Sequence, residues 1–501
     1  MKQYQRDFLI SLVLANFVLF QDWRYLLGRM SYFASPQPFR VVAIIFCGLV
    51  FAAVFTGGIW LARRSGNVGH WVAKWLFVQI IVSGVCIVLR GYLSDRVFIF
   101  IMVVVPVLLV AHPAVPRAVA TCLLVLSPCV AFLYARGIWE VSRVSHPEVI
   151  QGSVNRLSAP GPRVLLLVFD GMGEYVAFTR RPPGVQMPAF DRLRREAFVA
   201  EAAYPPADTT LVSMPALLTG KAVVDVRPSH NRLRLHYSAE KRFQSMAQSS
   251  TIFSEAHELG FGTAMIGWYH PYCSILRDLD YCAHIEADIE DERYRRGGFM
   301  SKALDVIDAL PLLHRTSFAQ QRNAQAGRES HEYETNFLIR TTHEVLPKFQ
   351  SGLMVVHLPI PHPPALQGVY FSNLIEADNE LGKIREIMEK AGTWEDTTVL
   401  ITADHWWRTR TWDSPWPGFS WTGDELAYLH ADEDKRVPLI AKLPRQKNGA
   451  SYTTDFNTLI LSRMIHDCLT GEIMTAKDLR VWINRNRSNA PVHAYFHKAE
   501  P

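Results

Sequence analysis

Nearly every long apolar run in the 501-residue chain lies before about residue 137, while the charges, histidines and most turn formers follow it. No other feature constrains the fold as strongly, because a helix that crosses a bilayer needs ~20 mostly apolar residues. Stretches near 8–27, 39–62, 71–93, 96–112 and 116–136 approach that length. The second is the clearest, since Val41 to Ala62 carries no charge and ends at Arg63-Arg64. The first is interrupted by Gln21, Asp22 and Arg24, although Trp23 and Tyr25 suit a membrane interface. As a secretory signal that run is unusually long, and no small-residue cleavage site follows it.

The expected organisation is an all-α transmembrane region of about five helices over 1–137 and a polar connector over 138–162. A water-soluble domain then covers 163–501. The connector ends in the turn-forming run Ser158-Ala-Pro-Gly-Pro162. Basic residues leave the orientation open. With five spans and a cytoplasmic N-terminus, Lys2, Arg6, Arg63, Arg64 and Arg117 fall inside, and Arg24, Arg29, Arg90 and Arg96 outside. The net charge of +5 is modest and contains no basic block, which argues against nucleic acid as a partner. Cys47, Cys86, Cys122 and Cys129 sit in apolar runs as small hydrophobes, and Cys468 reads as a buried thiol. Cys273 and Cys282 are close enough to close a short loop if their domain faces an oxidising compartment.

After residue 162 the pattern becomes globular. Arg163–Phe169 is a continuous apolar run of strand length ending at Asp170-Gly171, and similar runs recur at 263–267, 353–358, 397–402 and 437–442. A run apolar on both faces suits a central parallel strand. Between the runs lie helical patterns, such as Leu374, Leu381, Ile384 and Ile387/Met388. Strands alternating with helices predict an α/β fold with a doubly wound, mostly parallel sheet flanked by helices. Ligands of such sheets bind beyond the carboxyl ends of the strands. Asp170, His362 and the pair Asp404-His405 each follow one of the runs. A lone strand-end Asp is ordinarily a turn former. Four oxygen and nitrogen ligands arriving at one edge point instead to a divalent metal, zinc first and manganese second.

Residues 205–221 read Pro-Pro-Ala-Asp-Thr-Thr-Leu-Val-Ser-Met-Pro-Ala-Leu-Leu-Thr-Gly-Lys, with Thr209 or Thr210 at a loop-to-helix junction. A hydroxyl there is either a simple helix cap or a nucleophile activated by a metal and the helix N-terminus.

This segment carries a resemblance. Sulfatases show Cys/Ser-x-Pro-Ser-Arg-x-x-Leu-Leu-Thr-Gly, and Thr210 to Gly220 aligns with it without a gap. Phosphoethanolamine transferases show Thr-x-x-Ser-x-Pro, matched by Thr210, Ser213 and Pro215. Val164–Gly171 looks like the first metal-bearing strand of the alkaline phosphatase/sulfatase superfamily, and Val399–His405 looks like the second. Met187–Leu193 resembles the segment that follows the first strand, and His357–Pro363 resembles the substrate-side histidine loop. Tyr428-Leu-His430 resembles the late histidine of the transferases. The matches run in family order from 163 to about 445. The chain is thus similar to membrane proteins of the phosphoethanolamine transferase and lipoteichoic acid synthase kind.

The resemblance implies Thr210 as nucleophile, and Asp170, Thr210, Asp404 and His405 as metal ligands. His362 and His430 would contact the substrate or a second metal. His270 matches a supporting position, whereas His230, His236 and His284 read as surface or core histidines. Three departures turn the expected chemistry from sulfate to phosphate. Thr210 cannot yield the sulfatase aldehyde, Gly171 replaces a second aspartate, and Trp268 replaces a lysine. Trp406 also replaces the glycine expected after Asp404-His405. It opens a cluster with Trp407, Trp412, Trp416 and Trp421 that reads either as core packing or as an aromatic lid over Trp406, Trp407 and Arg408. Arg408 or Arg410 could hold an anion there.

The expected protein is a membrane-anchored, metal-dependent phosphoryl-transfer enzyme. It would act as a phosphoethanolamine- or phosphoglycerol-type transferase or a phosphodiester hydrolase on a lipid-linked or cell-envelope ester. Its expected place is a bacterial inner membrane, with the lipid bilayer as partner and an extracytoplasmic catalytic domain. The rivals are a sulfuric ester hydrolase and a catalytically inactive membrane scaffold of the same fold.

Overall fold

A computed structural model describes residues 2–27, 32, 38–66, 114–141, 148–158, 161–229, 232–285, 298–310, 316–363, 370–409 and 421–492, with parts of 71–110 and residue 313. The chain divides into two compact units. The first gathers Met1–Ser31, Ser35–Val144 and Arg293–Ala319; the second gathers Tyr32–Ala34, Ser145–Glu292 and Gln320–Pro501.

The described residues of the first unit are helical. Among its described residues, Phe39–Arg64 and Ala114–Trp139 are long and apolar enough to cross a membrane. They coincide with two of the expected spans. The first expected span is instead two shorter helices, Gln3–Val18 and Phe20–Leu27, with the chain turning at Leu19. Polar groups account for this difference. Asp22 and Arg40 are buried together, 3.6 Å apart, and Asp7 pairs with Arg63. Asn16 accepts from Trp23 Nε1 and donates to Tyr134, both at 2.9 Å. The expected spans near 71–93 and 96–112 lie largely outside the described residues. A helix from far along the chain, Phe299–Asp308, packs on the Pro38–Arg64 helix through Ala303 and Val306 against Ile44 and Cys47.

Among the described residues, the second unit is built on a ten-stranded sheet. Its strands, with those of a small side sheet, are β1 (Glu148–Gly152), β2 (Arg163–Phe169), β3 (Phe198–Tyr204), β4 (Val223–Ser229), β5 (Arg232–Tyr237), β6 (Gln244–Ser245) and β7 (Thr263–Gly267). They continue with β8 (Tyr281–Ile285), β9 (Gly352–Leu358), β10 (Thr397–Thr402), β11 (Val437–Lys442), β12 (Ala450–Tyr452) and β13 (Phe456–Asn457). The order is β1-β8-β7-β9-β2-β10-β11-β3-β12, with β13 beside β3, while β4, β5 and β6 form the side sheet. From β8 to β10 every pairing is parallel, and β11 runs antiparallel to both neighbours. The five apolar runs read from the sequence are β2, β7, β9, β10 and β11. Apart from the half-buried Arg163 at the start of β2, every residue in them is buried. Helices such as Tyr370–Lys390 cover the sheet, with Leu374, Leu381, Ile384 and Met388 in its core. Cys273 and Cys282 form a disulfide, and Cys468 is a buried thiol.

Candidate active site and metal centre

Parallel register decides which strand-end residues meet. Val168 of β2 lies opposite His357 of β9 on one side and Thr402 of β10 on the other. Two residues further along, Asp170 and Asp404 therefore leave adjacent strands at the same level, both fully buried. The N–H groups of Gly171 and His405 donate to Asp404 Oδ1 at 3.0 and 2.9 Å. Asp404 Oδ2 is buried without a hydrogen-bond partner. The turn after Asp170 needs a left-handed residue, and Gly171 supplies φ 69°. A Cβ there would stand 3.3 Å from His405 Cε1 and 3.5 Å from His362 Cδ2. Tyr370 ties this turn down, donating to the Gly171 carbonyl and accepting from the Gly173 N–H, each at 3.0 Å.

Thr209 takes the cap position of the helix Thr210–Thr219, but its side chain makes no capping bond. Thr210 is the first helical residue, and its Oγ1 donates to Asp170 Oδ2 at 3.3 Å. The hydroxyl is thus directed at the strand-end carboxylate, in the positive field of the helix N-terminus. One turn on, Ser213 Oγ donates to the Asp404 carbonyl and fastens the helix to the end of β10.

The histidines show which nitrogen faces the centre. His362 Nδ1 lies 2.8 Å from the Pro363 carbonyl, and His405 Nδ1 lies 2.8 Å from the Trp406 carbonyl. A carbonyl only accepts, so both protons sit on Nδ1 and each Nε2 is the acceptor nitrogen, the tautomer suited to a metal. His405 Nε2 stands 3.4 Å from Asp170 Oδ1 and 3.7 Å from Asp404 Oδ2. Ligand atoms of Asp170, His362 and His405 lie within 4.8 Å of one another, as do those of Asp170, His357 and Asp404.

Asp170 Oδ1, Asp404 Oδ2 and His357 Nε2 are buried without hydrogen-bond partners. Buried polar atoms are seldom left so. Together they form the oxygen and nitrogen donor set of a divalent cation, and the residues fit one. Burial alone would raise the Asp170 carboxyl, but the charges that His362, His357 and His405 carry when protonated outweigh it and hold it well below the usual carboxylate range.

Four expected ligands, Asp170, Thr210, Asp404 and His405, therefore converge, and His362 joins them. His430 belongs to neither ligand group. Its Nε2 is 3.0 Å from the Tyr175 hydroxyl, and it lines a cavity of about 500 Å3 with Tyr204, Asp434 and Arg436. Trp406 and Trp407 are 5% and 2% exposed and belong to the hydrophobic core. Trp407 stacks on Tyr370 with centroids 4.2 Å apart. Arg408 is the polar member of the segment, with Nη2 3.4 Å from His405 Nε2 and a buried Nε without a hydrogen-bond partner. Arg410, Trp412 and Trp416 lie outside the described residues.

Two further histidines lie near the centre. His357 was visible as the strand residue that opens the His-Leu-Pro-Ile-Pro-His loop. It is fully buried, with Nε2 3.7 Å from Asp170 Oδ2 and Nδ1 2.9 Å from the Tyr272 hydroxyl. His331 had no local signal, since it sits inside the long helix Ser317–Val345. Burial, reinforced by His362, pushes it down to about 3. Its ring is 6.4 Å from Trp268, which in turn is 6.2 Å from His362.

The chain belongs to the sulfatase family, whose profile matches residues 162–458, and with it to the alkaline phosphatase/sulfatase superfamily of divalent-metal enzymes. No curated protein matches it in sequence. Similar solved structures include the phosphonate monoester hydrolase of Agrobacterium radiobacter, at 14% identity and TM-score 0.39, covering 62% of this chain and 74% of that one. A second phosphonate monoester hydrolase, from Silicibacter pomeroyi, is 13% identical at TM-score 0.42, covering 66% and 78%. A sulfatase from Pseudoalteromonas sp. is 16% identical at TM-score 0.38, covering 68% and 70%. The family assignment rests on the sequence match.

Proposed function

We propose that the chain is a membrane-anchored, metal-dependent phosphoryl-transfer enzyme with Thr210 as its nucleophile. It would act as a phosphoethanolamine- or phosphoglycerol-type transferase or as a phosphodiester hydrolase on a lipid-linked or cell-envelope ester. The observation that carries this reading is the Thr210 hydroxyl, held 3.3 Å from Asp170 Oδ2 at the start of a helix. Threonine cannot be oxidised to the aldehyde on which sulfatases depend, yet it is an adequate nucleophile for phosphorus once deprotonated. Asp170, Asp404, His405 and the Thr210 oxygen would hold the cation, with zinc preferred and manganese second. When bound, that cation supplies the positive charge that favours the Thr210 alkoxide and offsets negative charge developing on the phosphoryl oxygens.

The chain's own residues supply the rest. Oγ1 of Thr210 forms a bond to phosphorus as the bond to the leaving alcohol breaks, and the departing oxygen takes up a proton. Water or an acceptor hydroxyl then displaces Thr210 and restores it. Arg408, whose guanidinium reaches His405, would meet a phosphoryl oxygen. Two apolar helices are compatible with a membrane anchor. The Cys273–Cys282 disulfide supports an extracytoplasmic catalytic unit in an inner-membrane protein.

The test uses the full chain in detergent with an aryl phosphate, a phosphodiester and an aryl sulfate. Preferred release from the phosphorus esters is expected, with phosphate trapped on Thr210 and detected by mass spectrometry. Thr210→Ala should lose at least ~10³-fold in turnover while keeping its fold. Retained activity in that variant would overturn the assignment. The second reading, sulfuric ester hydrolysis, is favoured by membership of the sulfatase family. Preferred sulfate release would establish it instead.

A further inference from the structure

One buried hydrogen-bond chain reaches the nucleophile from an unexpected part of the sequence. Tyr32 lies between the helices Phe20–Leu27 and Pro38–Arg64, yet it belongs to the catalytic unit. It is 1% exposed, and its hydroxyl is 2.7 Å from His270 Nδ1. His270 is equally buried, and its Nε2 is 3.2 Å from the Thr210 carbonyl oxygen. That oxygen only accepts, so Nε2 carries a proton and donates. In the neutral ring that burial favours, Nδ1 is then the acceptor and the Tyr32 hydroxyl must be the donor. Burial, with Tyr269 adding to it, holds that hydroxyl well above its usual range, so it remains a donor.

The direction of the chain gives it a purpose. Thr210 is the first residue of its helix, and rotation of its peptide would swing Oγ1 away from Asp170. His270 grips that peptide by its carbonyl, and it does so only in the tautomer with the proton on Nε2. Free imidazole interconverts between tautomers easily, so a partner at Nδ1 must select one. We propose that Tyr32 is a positioning residue for the reaction: it donates to His270 Nδ1, sets the Nε2–H tautomer, and so holds the Thr210 peptide with its hydroxyl on Asp170. This rests on Thr210 being the nucleophile, but not on whether the ester is a phosphate or a sulfate.

The test is a double-mutant cycle in the full-length protein, read as kcat and KM separately, with thermal unfolding and metal content alongside. Tyr32→Phe removes only the donor oxygen, and kcat should fall about tenfold with KM and metal content unchanged. His270→Gln keeps an amide donor for the carbonyl and an oxygen to accept from Tyr32, so it should retain more activity than His270→Leu. In the His270→Leu background Tyr32→Phe should have no further effect on kcat. An undiminished kcat in Tyr32→Phe, or an equal loss in both backgrounds, would overturn the proposal.

Nitrogen NMR of histidine-labelled protein reads the same point without turnover. His270 should be protonated on Nε2 in the parent and mixed in Tyr32→Phe; an unchanged tautomer sinks the role of Tyr32. Activity surviving in Thr210→Ala would refute the nucleophile instead, while leaving the tautomer result to be judged by itself.

Discussion

Asp404 gives one carboxylate oxygen to the Gly171 N–H at 3.0 Å and keeps the other buried without a hydrogen-bond partner. The bond fixes the rotamer, and the unpaired oxygen faces the imidazole nitrogen of His405. Asp404→Asn preserves the shape but replaces a negative ligand with a neutral amide. Bound zinc in the purified protein, measured by elemental analysis, should drop to near none. Added zinc should raise the unfolding temperature of the parent, because a ligand at about a hundredfold its Kd stabilises by ~2.7 kcal/mol. The same zinc should leave the variant unmoved, and an equal response in both proteins would contradict the assigned ligand.

Gly171 stands where sulfatases carry a second aspartate, and its left-handed backbone disfavours that residue here. At φ 69° a side chain is strained, and its Cβ would crowd the rings of His405 and His362. Gly171→Asp should cost on the order of 1–3 kcal/mol in stability. Activity should fall further, since His405 must give way by a few tenths of an ångström. Sulfatase activity gained in this variant would show that the site tolerates the family's usual pair.

His284 on β8 is 2% exposed, its Nδ1 has no hydrogen-bond partner, and burial lowers it from 6.5 to about 4. A histidine depressed in the folded state takes up its proton more readily once unfolded. Stability is therefore lost as pH falls from 6.5 towards 4 and levels off below. The loss from this residue is on the order of 3 kcal/mol, at ~1.4 kcal/mol for each pKa unit. Denaturant titrations at both ends of that window should show a smaller acid penalty in His284→Leu than in the parent. His331, lowered by burial and His362, acts in the same direction and should leave part of the penalty in place.

Cys273 and Cys282 close a loop with a sequence separation of 9. Replacing both with serine should lower stability by about 2–3 kcal/mol, the chain-entropy value for so short a loop. In intact cells a thiol reagent that does not cross membranes should leave the oxidised pair unlabelled. Ready labelling before any reductant would contradict an oxidised pair in the native protein.

Much of the fold is legible in the sequence. Arg163–Phe169, 263–267, 353–358, 397–402 and 437–442 announce themselves as strands because a doubly covered strand must be apolar on both faces. Asp170, His362, Asp404 and His405 stood out because ligands gather where such strands end. His331 did not, since a histidine inside a long helix looks like any other, and its neighbours Trp268 and His362 come from distant segments. The aromatic run after His405 was ambiguous for a related reason. Whether a tryptophan packs or covers depends on a partner such as Tyr370, which no local pattern names.

The sequence by itself determined the alternation of strands and helices, the candidate ligands and the threonine hydroxyl. These follow from hydrophobic periodicity and side-chain chemistry, which are properties of neighbouring residues. Only the tertiary structure decided which strand ends share a level, which imidazole nitrogen faces the centre, and that Tyr32 meets His270. Each of those depends on hydrogen bonds between residues far apart in the chain, and no local pattern records them.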